Sequence, residues 1–229
     1  MRTSLFLLLA FSGMMPVAFA QLNNSVGISA GATYATINQS SLYITGVDAP
    51  IEYKQGWTAD LTYRRVLMNF IVLEGALDFS QKGYKQTMQY VDENGNMANS
   101  ESTARYTLNY MGASVKAGVQ YGSKWFGQTT VGITPSLLLS SRYKSEAISY
   151  PGGETIPAKE GNTEDITDFD LSLNFETAAG YRLSERSSIT LTAGYNLGIY
   201  DVEPDFFFFI PLSWRNNYFS ARVGYQYHF

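Results

Sequence analysis

Apolar and polar side chains alternate at period two along most of this chain, the pattern of a strand with one oily and one polar face. The clearest stretch is Phe169–Tyr181. Phe169, Leu171, Leu173, Phe175, Thr177, Ala179 and Tyr181 fall on one face, and Asp170, Ser172, Asn174, Glu176, Ala178 and Gly180 on the other. The next stretch sets Ile189, Leu191, Ala193, Tyr195, Leu197 and Ile199 against Thr190, Thr192, Gly194, Asn196, Gly198 and Tyr200. The last sets Phe219, Ala221, Val223, Tyr225, Tyr227 and Phe229 against Ser220, Arg222, Gly224, Gln226 and His228. Further strands are predicted at about Val26–Ile37, Gly56–Arg65, Asn69–Tyr84, Thr103–Tyr121 and Phe126–Tyr143, which makes eight.

Connections between these segments alternate in length. Val66–Met68, Gly122–Trp125 and Leu183–Ser187 are short, whereas Asn38–Gln55, Lys85–Ser102, Lys144–Asp168 and Asp201–Asn217 are long and polar. Outer-membrane barrels have this asymmetry, with short periplasmic turns and long outer loops. A tilted strand crosses the hydrocarbon in roughly 9–11 residues, a length each segment reaches. Lipid leaves no water for unpaired strand edges, so such a sheet must close on itself. The expected fold is all-β: an eight-stranded, antiparallel, up-and-down transmembrane β-barrel. One segment breaks phase, because Tyr106, Leu108 and Tyr110 are even-numbered while Val115, Ala117 and Val119 are odd. A β-bulge near Met111 and Gly112 accounts for that; the alternative is that the upper part of the strand stands above the membrane under a different rule.

Residues 1–20 lie outside this pattern. A basic start at Arg2, an apolar run from Leu5 to Phe11 and small residues Ala18 and Ala20 predict a signal peptide cleaved near Ala20, leaving 21–229 as one barrel domain. The apolar run is too short for a membrane-spanning helix. The chain has no cysteine, so neither a disulfide nor a lipidated cysteine holds the protein. A net charge of −4 argues against nucleic acid as a partner. With 17 Tyr, 14 Phe and 20 Gly, the composition favours strands and tight turns over helices.

The polar faces carry Asp60, Arg64, Glu74, Asp78, Lys116, Asp170, Glu176 and Arg222. Eight strands make a barrel just wide enough for side chains to fill, so these charges read as a paired plug, with a narrow ion or proton path as the alternative. Chemistry beyond this has little to work with. A hydrolase needs a nucleophile, base and stabilising group together, and the single histidine, His228, is the penultimate residue. A catalytic centre is therefore not expected. Nor is a metal or other cofactor, because the acidic stretch Glu154–Asp170 lacks the glycine-punctuated spacing of a calcium loop. The run Phe206, Phe207, Phe208, Phe209 to Trp214, bracketed by Pro204 and Pro211, is too apolar for an open loop. It reads as an aromatic girdle or lid, or as a contact site for a protein partner. Trp57, Tyr63, Trp125, Tyr181, Tyr195, Tyr225, Tyr227 and Phe229 are placed to settle at the lipid headgroups.

The final residues Arg222–Phe229 resemble the C-terminal insertion signal of outer-membrane barrels, with Gly224 followed by outward Tyr227 and Phe229. That resemblance implies recognition by the barrel assembly machinery. The eight segments, together with the stretch Tyr110–Leu139 around Gly122-Ser-Lys-Trp125 and Gly132-Ile-Thr-Pro135, are similar to the small barrels of the PorT-like, OmpA-like and OmpX-like superfamily. The likeness implies the outer membrane of a Gram-negative bacterium, contact with its lipid, and a structural or accessory role with long outer loops open to partners. A small channel and a soluble lipocalin-like ligand-binding barrel are the competing functions. The lipocalin needs an apolar interior, so the direction in which Leu171, Leu173, Leu191 and Leu197 point separates it from a membrane barrel.

Overall fold

Period-two alternation becomes eight long strands: β1 (Asn24–Gln39), β2 (Ile51–Leu67), β3 (Ile71–Met88), β4 (Ser102–Gly122), β5 (Trp125–Ser145), β6 (Phe169–Ser184), β7 (Ser187–Gly198) and β8 (Trp214–His228). The computed structural model describes residues 23–39, 51–88, 102–149, 155–162, 166–201, 206–207, 210–211 and 214–229. Each strand pairs antiparallel with its neighbours in sequence, and β1 closes the sheet against β8 through Ser25↔His228 to Gln39↔Trp214. The predicted eight-stranded up-and-down barrel is the fold observed. The signal peptide expected at residues 1–20 lies outside the described residues.

Closure satisfies every strand edge, which lipid requires. It also brings the two ends of the barrel chain together: Phe229 N–H donates to Asn24 O at 2.9 Å and Asn24 N–H to Phe229 O at 3.4 Å. The strands outrun the predicted segments mostly at the long-loop end, where β2 begins at Ile51 and β8 at Trp214. At the other end β3 starts two residues later than predicted, because Met68 and Asn69 take left-handed φ of 51° and 66° in a tight turn closed by Phe70 N–H to Leu67 O at 3.1 Å. Such a pair of left-handed residues matches the right-handed twist of the flanking strands. Gly122, at φ +92°, supplies the left-handed residue at the β4–β5 turn.

Beyond the membrane the sheet carries small additions. Ile148–Ser149 pairs with Thr155–Ile156, and Lys159–Gly161 adds to the top of β5 through Tyr143↔Gly161 to Ser145↔Lys159. Phe206–Phe207 pairs with Ile210–Pro211.

The bulge expected near Met111 and Gly112 is not where the irregularity lies. β4 keeps one phase throughout: Ala104, Leu108, Tyr110, Ser114, Lys116 and Gln120 are all buried on its inner face. The extra residue is Leu139 on β5, since Asn109 pairs with Ser140 and Tyr110 with Leu138. Leu108 and Tyr110 break the polar-inside rule, not the register, because the upper barrel has an aromatic interior. There Tyr84 stacks on Tyr106 at 4.4 Å between centroids, and Tyr143 lies tilted against Tyr106 at 5.1 Å.

Outside, the wall is apolar: Ile28, Leu61, Leu77, Val115, Leu191 and Val223 are each more than half exposed. Leu171, Leu173 and Leu197 share that outer phase, while Asp170, Ser172, Asn174 and Asn196 are buried inside. This is the reverse of a lipocalin. Rings mark both edges of the band. Tyr63, Trp125, Tyr181, Tyr227 and Phe229 lie toward the short-turn end; Tyr34, Trp57, Tyr195 and Phe219 lie higher, with Trp125 against Tyr181 and Tyr195 against Phe219. Tyr225 sits two residues inside the lower ring. From Val26, level with Tyr63 and Tyr227, to Tyr34 is eight residues, about 20 Å along the axis for a strand tilted near 40°. That is close to the height of an outer-membrane apolar band.

Candidate functional site: the barrel lumen

Inward charges on five strands meet in one connected cluster. It starts as a cross-strand ladder, because register sets Arg64 (β2) opposite Glu74 (β3), and Glu74 opposite Lys116 (β4). Arg64 donates from Nε and Nη2 to Glu74 Oε2 at 3.0 and 2.8 Å, and Lys116 Nζ reaches Glu74 Oε1 at 3.4 Å. Lys116 also crosses the lumen to Glu176 on β6, 3.0 Å from both carboxylate oxygens. Arg222 on β8 then spans both neighbouring strands: Nη2 contacts Glu176 Oε1 at 2.6 Å, and Nη1 donates to Asp60 Oδ2 on β2 at 2.7 Å. Ser29 Oγ (β1) donates to the same Asp60 oxygen at 2.5 Å, and Arg64 Nη1 to Gln226 Oε1 (β8) at 2.9 Å.

Inward glycines let the wall strands and these side chains come close. A Cβ on Gly31, the β1 partner of Arg222, would come 1.8 Å from Ala221 O, and one on Gly132 would meet Lys116 Cγ at 2.7 Å. The remaining space in the cluster is a cavity of about 30 Å³, lined among others by Asp60, Arg64, Glu74, Glu176 and Arg222. That is room for one or two waters.

Higher up, Lys82 Nζ binds Asp170 Oδ2 at 2.7 Å; both side chains are essentially inaccessible. The ammonium also lies over the rings of Tyr110 and Tyr218, 4.7 and 5.2 Å from their centroids. Asn216 Nδ2 donates to Asp170 Oδ2 at 3.2 Å and to Tyr110 Oη at 3.5 Å. Between the two tiers, Asn174 donates to Asn196, and Thr134 Oγ1 to Asn174 Oδ1 at 2.8 Å.

Seven of the eight predicted lumen charges are thus ion-paired, Asp170 in the upper tier and six in the lower one. Asp78 lies on the same inner face and makes none of these ion pairs. Lys82 was missed, although it shares the even phase of Glu74 and Asp78 on β3. A glycine at 83 and tyrosine at 84 hid it among residues read as the top of the strand. Of the predicted assembly signal, Tyr227 and Phe229 point outward and are nearly half exposed, while Gly224 faces Thr190 Oγ1 across the lumen wall. Of the aromatic run, Phe208 and Phe209 lie outside the described residues, and only the strand positions of Phe206, Phe207 and Trp214 are described.

His228 has a hydrogen-bond partner that the sequence reading did not foresee, Ser188 at 2.9 Å. Ser188 is fully buried, so a substrate has no approach to its hydroxyl; the pair ties the end of β8 to β7. No group of three or more His, Cys, Asp or Glu among the described residues is arranged to hold a metal. Just above the upper aromatic edge, where Lys54 pairs with Ala35, burial and the neighbouring Lys85 hold the Lys54 ammonium below its ordinary pKa.

A family model described as outer membrane protein beta-barrel domain matches residues 19–203, which take in the first seven barrel strands. The chain belongs to this outer-membrane β-barrel family. Its place is accordingly the outer membrane. Solved structures similar to this barrel include Neisserial surface protein A, at 14% identity and TM-score 0.44 over 89% of this chain and 97% of that one. OprG from Pseudomonas aeruginosa follows at 10% identity and TM-score 0.45, over 90% and 96% of the two chains. The outer membrane protease OmpT from Escherichia coli follows at 11% identity and TM-score 0.47, over 93% and 99%. No curated protein matches the chain.

Proposed function

We propose that this outer-membrane barrel is a non-enzymatic, non-conducting scaffold that holds a tall outer rim for partners. The observation that carries the reading is the continuous lumen network from Ser29 through Asp60, Arg222, Glu176, Lys116, Glu74 and Arg64 to Gln226, which ties β1, β2, β3, β4, β6 and β8 across the bore. Buried charges persist only when paired, and these hold one another in the path an ion would take. The upper pair, Lys82 and Asp170, blocks the bore a second time.

Height supports the rim. β4 and β5 each run 21 residues, while a tilted strand crosses the hydrocarbon in roughly 9–11. At about 2.5 Å of axial rise per residue, some 25 Å of wall stands above the lipid. A PorT-like accessory role, with a protein partner at this rim and at the Phe206–Trp214 segment, follows from the same reading. So does insertion by the barrel assembly machinery through Gly224, Tyr227 and Phe229 after cleavage near Ala20. Conductance across planar bilayers tests the central statement. The refolded protein is expected to be silent, and steady single-channel steps from the unaltered chain would overturn the closed-lumen reading.

A further inference from the structure

Five acids and four bases face the membrane-level lumen: Asp60, Glu74 and Asp170 are buried and Asp78 and Glu176 are partly buried, against the buried Arg64, Lys82, Lys116 and Arg222. Every member except Asp78 has a counter-ion within 4 Å. Register places Asp78 directly opposite Asp60 on β2, and two like charges opposite one another on a sheet face destabilise the pair. Asp60 is engaged by Arg222 and Ser29, whereas the buried Oδ2 of Asp78 has no hydrogen-bond partner among the described residues.

On the other side of Asp78 the wall is loosened. Pro135 has no N–H to give, and the β4–β5 ladder passes from Gly112↔Ser136 to Val115↔Ile133 without pairing Ala113 or Ser114. Ser114, fully buried on the inner face beside this gap, lies diagonal to Asp78, whose β4 partner is Gly112, with its hydroxyl beside that carboxyl. The charged groups around Asp78 are Glu74 and Lys82 on its own strand, Asp60 on β2, Lys116 on β4, Glu176 on β6 and Arg222 on β8; Tyr218 on β8 lies near it as well. Each cation there already serves another carboxylate.

We propose that Asp78 is a proton-binding site, its carboxyl remaining neutral inside the lumen at neutral pH. A proton there removes the surplus negative charge, leaving four acids against four bases. It also turns the Asp60–Asp78 repulsion into a donor facing an acceptor, since a protonated carboxyl carries an O–H. A like charge facing a carboxylate disfavours its ionised form. This assignment concerns the lumen interior and stands whether or not the outer rim binds a partner.

The test is the infrared carbonyl band of a protonated carboxylic acid in the full-length barrel refolded into lipid vesicles, followed from pH 5 to pH 10 in wild type and Asp78→Asn. Exposed carboxyls are ionised by pH 7, so a band remaining at that pH reports a buried acid. The expected result is one such band in wild type at pH 7, absent in Asp78→Asn, with the variant still heat-modifiable on gels. No band in wild type at pH 7 overturns the proposal and hands the compensating charge to a bound monovalent cation. A band of equal size in the folded variant overturns it also. Should Asp78→Asn fail to fold, the wild-type titration decides alone: a band lost as exposed carboxyls ionise, below pH 6, refutes it.

Discussion

Replacing Arg222 by methionine keeps much of the side-chain volume and removes one charge from the centre of the lumen. The guanidinium contacts Asp60 at 2.7 Å and Glu176 at 2.6 Å, and all three side chains are less than a tenth exposed. Its loss leaves Asp60 with Ser29 alone and Glu176 with Lys116 alone. Breaking a buried pair from one side costs about 3–5 kcal/mol, because the remaining charge stays buried without compensation. The contrast is Arg215→Ala: Arg215 pairs with Asp201 at 3.1 Å with both side chains more than 40% exposed, a geometry worth less than about 1 kcal/mol. Urea unfolding of the barrel in lipid vesicles, followed by tryptophan fluorescence, measures both. Adding Asp60→Asn and Glu176→Gln to Arg222→Met should recover most of the loss, since both carboxylates that Arg222 served are then neutral and Lys116 and Arg64 still share Glu74. An Arg222→Met barrel within about 1 kcal/mol of wild type would show that the lumen charges are solvated and would sink the plug.

Two further perturbations probe the wall. Leu191, 60% exposed on the outer face and midway between the aromatic edges, should lose about 2–4 kcal/mol of stability in lipid when changed to arginine, by the same urea assay. A loss below about 1 kcal/mol would mean this face does not meet hydrocarbon. Met68 sits at φ 51° in the β2–β3 turn, where a Cβ is costly, so Met68→Gly should raise the unfolding midpoint by about 1 kcal/mol's worth. A lowered midpoint would mean that the Met68 side chain anchors the turn to the headgroups.

Alternation was enough to determine that this chain folds as eight strands with an oily and a polar face, because strand period is a local property of the backbone. From Phe169 to Tyr181 each side chain went to the face its parity assigned. The same parity picked out the inward acids and bases on β2, β3, β4, β6 and β8, and the short and long connections fixed which end of the barrel is closed. Parity failed at Leu108 and Tyr110 because it equates apolar with outward. That holds only where lipid lies outside, and above the membrane the rings pack inside. Partnership within the lumen was decided by the tertiary structure alone. Arg222 meets Asp60 and Glu176 because closure and shear bring β2 and β6 to either side of β8, contacts 162 and 46 residues apart in sequence. Which carboxyl is left without a base is likewise set by that closure, since only the assembled ring makes Arg64, Lys116 and Arg222 choose among four acids.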